Sequence, residues 1–143
     1  MIYRMKFTYP DGTVIKGKKD HNEWFNSLGF NSYNFNNKNV LDIATDEGWW
    51  AFKAEMQGAS YVEACDVEDA NLYDWGFEKD HNWISSTNQT RIGKKAFDMH
   101  HKNLKSKVVY KQKSIYNVDG SFDLVFAHGL LYHLRHPLLA IDR

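Results

Sequence analysis

The chain has a single cysteine, Cys65, in 143 residues. One thiol excludes an intrachain disulfide framework and a multi-cysteine zinc site. It fits a reducing compartment, and its expected place is a small buried position. Net charge is also lacking: 18 Lys and Arg balance 18 Asp and Glu, so no strong basic field announces nucleic acid or an anionic membrane as the partner. Long apolar runs are missing too. The opening MIYRMKFTY is too polar for a signal peptide or a membrane span, and no later segment supplies one. The expectation is a cytoplasmic protein with no membrane partner.

What the chain does have is apolar and aromatic surface to bury. Hydrophobic residues make up 43% of it, with five Trp, eight Tyr and nine Phe, which excludes global disorder and suits about one domain. Residues 1–39 read as an N-terminal extension. Tyr3–Tyr9 alternates loosely, and Pro10-Asp11-Gly12-Thr13 is a turn signal before Val14–Ile15, which predicts a hairpin. A short helix is expected around Asn22–Leu28. The extension is read either as a tether that packs aromatics on the main domain or as a lid or substrate wall.

From Asn39 the pattern sharpens. Val40–Ala44 is a short apolar run interrupted by Asp42; after Thr45-Asp46-Glu47-Gly48, Trp49, Trp50, Phe52, Ala54 and Met56 recur at helical spacing. Gly58-Ala59 stops that helix, and Tyr61–Asp66 is a second β run. The unit is βαβ, which implies parallel strands. Glu68–Gln89, with Trp75, Phe77 and Trp83, has no clean period and reads as irregular. A helix is predicted over Arg91–Asn103, a third strand over Lys107–Lys113, and a fourth over Phe122–Ala127, whose near-continuous apolarity predicts cover on both faces. Pro137 is well placed to begin a last helix with Leu138, Leu139 and Ile141 on its apolar side. The fold class is α/β, a Rossmann-like doubly wound parallel sheet over residues 40–143.

In such sheets ligands bind beyond the carboxyl ends of the strands. Asp66 ends the second strand, where a carboxylate can accept both hydroxyls of a ribose. The first loop then discriminates among adenosine cofactors. A dinucleotide needs a glycine-rich turn whose amides receive the pyrophosphate; this loop has only Gly48 and carries Asp46 and Glu47. Carboxylates repel a pyrophosphate and suit the cationic groups of S-adenosylmethionine. The competing reading is that Asp46 and Glu47 cap the helix that follows. His128, His133 and His136 invite a metal, but no acid or cysteine completes a recognisable ligand spacing. His128 or His133 could serve instead as a general base, or be a satisfied loop histidine.

The run VLDIATDEGWWAFKAEMQGASYVEACDVED, residues 40–69, resembles the first two motifs of the class I S-adenosylmethionine-dependent methyltransferases, and FDLVFAHGLLYHLRHPLLAI, residues 122–141, resembles their fourth-strand motif. Within the class, the VLYHLRHP-like segment and the lead-in YPDGTVIKG, residues 9–17, are similar to a subgroup related to the tRNA wobble-uridine carboxymethyltransferases. The resemblance implies that Asp42, Ala44, Thr45, Asp46 and Gly48 surround the methionine part of the cofactor, that Asp66 holds the ribose and that Val67 packs on the adenine. It places Ser114, Ile115 and Tyr116 on the other adenine wall, and Ala127, His128 and Gly129 where cofactor meets substrate, with His128, Tyr132 or His133 available to take a proton. The family's usual glycines are replaced by Ala44, at an expected small cost, and by Asp46, which must adopt a backbone conformation open to a non-glycine residue.

The resemblance also implies a seven-stranded sheet, of which four core strands are supplied. A truncated fold with an apolar fourth-strand edge is expected to form a homo-oligomer or to bind a partner chain there. The function it implies is a methyltransferase acting on a small-molecule or RNA substrate. The alternative is an S-adenosylmethionine-binding module that works through self-association or a partner. A nicotinamide-dependent oxidoreductase is disfavoured by the acidic loop. Lys94, Lys95, Lys102, Lys105 and Lys107 form at most a local basic patch and read best as a solvated helix face.

Overall fold

The computed structural model describes residues 3–74 and 92–143. Its centre is a four-stranded parallel sheet of β5 (Asn39–Ile43), β6 (Tyr61–Asp66), β7 (Val109–Gln112) and β8 (Leu124–Phe126), in the order β7-β6-β5-β8. The order reverses between β5 and β8, so the crevice of a doubly wound sheet opens there. All four predicted strands are present. The third and fourth are shorter than the apolar runs suggested: before β7, Lys107 N donates to Glu55 Oε1 at 2.6 Å, and before β8 the Asp123 side chain accepts from Asn39 N at 2.8 Å.

The crossover from β5 to β6 is helix α2 (Trp49–Met56), preceded in the chain by the short α1 (Asn22–Ser27). Helix α3 (Gly93–Leu104) leads into β7, and α4 (Pro137–Ile141) follows β8 with Pro137 in its first turn. Arg91 and the tryptophans and phenylalanine expected in an irregular stretch, Trp75, Phe77 and Trp83, lie outside the described residues. β8 is an edge of the sheet among the described residues, and Val125 is 49% exposed. The expected cover on both faces is therefore not present at Val125; the strand's apolarity is spent on Phe126, buried against Trp50 and Phe30.

The hairpin predicted in the N-terminal extension forms from β2 (Phe7–Thr8) and β3 (Val14–Ile15), antiparallel; β1 (Tyr3–Met5) pairs with β4 (Gly17–Lys19). It packs on the main domain through aromatics. The Phe7 ring stacks on His100 with centroids 3.6 Å apart, and Tyr9 Oη lies 2.7 Å from His100 Nδ1. Phe7, Tyr9, Phe25 and Phe35 belong to the same buried cluster as Val40, Trp49, Phe52, Val62 and Phe97. A second cluster, with Leu41, Ile43, Cys65, Ile115 and Ala140, fills the opposite face of the sheet. Burial pushes the Cys65 thiol up to about 12, so it is an inert core residue.

One polar clamp holds β1, the strand just before the hairpin, in place. Glu47, fully buried, accepts from Arg4 N at 2.7 Å and from Met5 N at 3.0 Å. Removing it with Glu47→Ala strands two backbone donors, at an expected cost of about 2–4 kcal/mol. Urea denaturation together with limited proteolysis of residues 1–20 checks this: unchanged stability and an equally protected N-terminus would show that the aromatics alone seat the hairpin.

Candidate active site

A cavity of about 740 Å³ opens at the carboxyl ends of the four strands. That is within the range of small-molecule sites, roughly 300–1,000 Å³. Its floor is built from the loops after β5, β6, β7 and β8, and the N-terminal extension supplies the facing wall through Arg4, Met5, Lys18, Lys19, His21 and Trp24. Tether and wall are thus one and the same segment.

The loop after β5 is a tight backbone construction. Ala44, Asp46 and Gly48 all adopt left-handed conformations, with φ of 57°, 50° and 86°. For aspartate this region is comparatively accessible. For alanine it costs about 1–2 kcal/mol, more than the small penalty expected at Ala44. Four amides of the loop and helix start already donate within the protein: Thr45 N to the Cys65 carbonyl, Asp46 N to Asp66 Oδ2 at 2.8 Å, Gly48 N to the Thr45 carbonyl, and Ala51 N to Asp42 Oδ2 at 3.2 Å. The last of these makes Asp42 the cap of α2, although it lies on the strand; it also accepts from Thr45 Oγ1 at 2.6 Å. Full burial pushes the Asp42 carboxyl up to about 7 against the effect of those two hydrogen bonds.

The acidic loop is organised differently from what its composition suggested. Glu47 turns away to the β1 amides of Arg4 and Met5. Asp46 faces the cavity and pairs with Arg4 Nη1 at 2.8 Å. A Cβ on Gly93, the first residue of α3, would lie 2.5 Å from Asp46 Oδ1, so the carboxylate rests against the positive end of that helix. Neither acid caps α2, whose N-cap Gly48 makes no side-chain cap. Asp66, buried at the end of β6, holds both oxygens in place: Oδ2 by Asp46 N and Oδ1 by Val67 N at 2.7 Å.

Of the residues singled out in the sequence, Asp42, Ala44, Thr45, Asp46, Asp66, Val67, Ser114, Ile115, Tyr116, His128, Gly129, Tyr132 and His133 all line this cavity. Gly48 and Ala127 do not. Gly48 is instead sealed between Phe52 and Phe97. Ser114 opens a 3-10 turn (Ile115–Asn117) by accepting from Tyr116 N, and Tyr116 Oη donates to Asp74 at 2.5 Å. His128 and His133 reach the same cavity, but His136 is not among its lining residues, and no three metal-binding side chains converge among the described residues. Trp50 lines the cavity and stacks on His128 with centroids 3.9 Å apart, whereas Trp49 donates from Nε1 to the Lys6 carbonyl at 3.1 Å.

Nothing periodic or motif-like in the sequence marks Arg4, Lys18, Lys19, His21 and Trp24 as site residues; only contact across about 20 or more residues of chain brings them to the strand ends. No family model matches the chain and no curated protein matches it. Solved structures share parts of its fold at low identity. A ribosomal-protein methylase from Lactobacillus delbrueckii subsp. bulgaricus is 20% identical over 76% of this chain and 46% of its own, with a TM-score of 0.48. An S-adenosylmethionine-dependent methyltransferase from Mesorhizobium loti is 14% identical over 71% of this chain and 36% of its own, at 0.43. A phosphoethanolamine N-methyltransferase from Haemonchus contortus, solved with phosphoethanolamine and S-adenosylhomocysteine, is 18% identical over 68% of this chain and 16% of its own, at 0.43. The chain spans less than half the length of each. No helix among the described residues is long and apolar enough to cross a membrane.

Proposed function

We propose that the chain binds S-adenosylmethionine in the strand-end cavity and serves methyl transfer to a small-molecule or RNA acceptor. The observation that carries this reading is the fate of the loop amides. A pyrophosphate is held by unpaired amides at a helix start, and here Thr45, Asp46, Gly48 and Ala51 already spend theirs on the protein, with the carboxylate of Asp42 seated at the N-terminus of α2. A pyrophosphate would have to do without those four donors and face the Asp42 carboxyl at the helix start. An adenosine without phosphates needs less: a fixed carboxylate for the ribose, supplied by Asp66, and apolar walls, supplied by Val67 and Ile115.

When bound, the cofactor supplies a methyl group on a sulfonium that is already a good leaving group, so the protein's part is positioning and desolvation. Asp66 fixes the adenosine end, and the Thr45–Asp46 turn fixes the other. Asp46 is offset by Arg4, so the electrostatic pull on a cation is weaker than two unpaired acids would give.

Isothermal titration with S-adenosylmethionine and S-adenosylhomocysteine tests the reading. Both should bind, and Asp66→Ala should weaken both by roughly tenfold or more, as expected for losing hydrogen bonds to a charged acceptor. A folded Asp66→Ala variant that binds as tightly as the wild type would remove the adenosine from this site. Binding without turnover on any acceptor would favour the non-catalytic binding module, and tight binding of NAD would favour the oxidoreductase.

A further inference from the structure

The cavity holds a second polar cluster that cofactor binding at the strand ends leaves unused. His21 is 6% exposed, and both its ring nitrogens lack a hydrogen-bond partner. Trp50 Nε1 and His128 Nε2 are buried and unpartnered in the same way. Orphaned buried nitrogens are rare, and each costs about 1–3 kcal/mol. Here four of them line or adjoin one cavity and share one cover. The Trp24 ring sits 5.5 Å from His21, 5.5 Å from Trp50 and 5.1 Å from His128, and it is itself 44% exposed. Lys18 and Lys19 line the same wall, and neither makes an ion pair among the described residues. Lys19 is close enough that its charge, after burial, helps hold the His21 imidazole below its ordinary value; burial does the same to His128. Burial thus favours the neutral form of both rings, and a neutral imidazole offers one donor and one acceptor.

We propose that His21, Trp50 and His128 form the acceptor subsite beneath Trp24, and that its ligand is a small organic anion carrying a hydroxyl. The hydroxyl, which both donates and accepts, matches the mixed nitrogens once Trp24 swings aside. The anionic end is met by Lys18 and Lys19. A planar ring in the ligand gains stacking on the displaced indole. This rests on the reading of the cavity as a methyl-transfer site, and it names the class of molecule that enters beside the cofactor.

The experiment follows the imidazole resonances of His21 and His128 by long-range proton–nitrogen NMR, with and without S-adenosylhomocysteine. The probes are para-hydroxybenzoate, beta-hydroxybutyrate, para-hydroxybenzamide and benzoate. The two hydroxy acids should shift both histidines, while the uncharged amide and the hydroxyl-free acid bind roughly tenfold more weakly, the effect of one charge-assisted or one buried hydrogen bond. His21→Phe keeps a planar ring among the neighbouring indoles and removes two orphaned nitrogens. It should raise Tm, abolish the hydroxy-acid response and leave S-adenosylhomocysteine binding intact. A purely structural histidine would instead lower Tm when replaced. Silent histidines with both hydroxy acids, or equal affinity for charged and uncharged probes, overturn the proposal. Histidine shifts without any S-adenosylhomocysteine binding would overturn the methyltransferase reading and leave the subsite standing.

Discussion

Gly48→Ala is expected to destabilise the protein by about 2–5 kcal/mol, enough to unfold a large fraction of a marginally stable domain. Two costs add. The position has φ of 86°, and placing an L side chain in that left-handed region costs about 1–2 kcal/mol. There is also no room: an added Cβ would stand 2.5 Å from Phe52 Cε2 and 2.6 Å from Phe97 Cδ2. Both rings are almost fully buried and pack on each other with centroids 4.8 Å apart, so neither can withdraw without disturbing the core, which adds about 1–3 kcal/mol. Thermal and urea unfolding measure the sum. A loss below about 1 kcal/mol would mean that the α2–α3 contact relaxes far more easily than close packing allows. Pairing the change with Phe97→Leu should recover part of the loss, because the steric share is made against that ring.

The dependence of stability on pH should be nearly level between about pH 4 and 6.5 in the wild type, and steep, with opposite slopes, in two single variants. His100 is fully buried, and burial holds its imidazole down at about 4. The unfolded chain takes up a proton near pH 6.5 that the folded chain refuses until about pH 4. This group's contribution is therefore complete above pH 6.5 and falls on acidification by about 3 kcal/mol. His21 and His128, also held down by burial, act in the same direction. Asp42 runs the other way. Its folded value of about 7 lies above the unfolded value of 3.8, so its contribution is complete below about pH 4 and is lost as pH rises towards 7, by about 4 kcal/mol. Glu47, raised by burial, adds to that side. Asp42→Asn should leave a protein whose stability climbs with pH, and His100→Phe one whose stability declines. Chemical denaturation across this range decides the matter: parallel curves for wild type and Asp42→Asn would show that Asp42 is ionised in the folded protein throughout.

The βαβ frame was legible because its signals are local. Val40–Ala44 and Tyr61–Asp66 are apolar runs ended by turn residues, and Trp49–Met56 has the period of a helix between them. Most of the strand-end residues could then be placed by the general geometry of parallel sheets. Gly48 lies outside the cavity lining for a physical reason. Sequence shows that a glycine stands at the helix start, and does not show whether a ligand or a pair of rings occupies the space beside it. The two acids were ambiguous in the same way, since Glu47 and Asp46 are adjacent in the chain and yet serve a pair of β1 amides and an arginine, partners more than 40 residues earlier. His21 and Trp24 carried only the general signal of the extension, a tether or a wall, and nothing that marked them individually. Their role comes from the docking of the N-terminal segment, and docking is encoded by scattered aromatics that follow no period.

The parallel arrangement also sets a timetable for synthesis. β5 lies in the middle of the sheet, but its partner on one side, β8, pairs Val40 with Leu124 and Asp42 with Phe126, and the Asn39–Asp123 bond beside them closes a separation of 84 residues. At about 5–20 residues per second, β8 is translated roughly 4–17 s after β5. Throughout that interval the strand that carries Val40, Leu41 and Ile43 has an open hydrogen-bonding edge, and ribosome-bound chains of this protein should be correspondingly dependent on chaperones until β8 emerges from the exit tunnel.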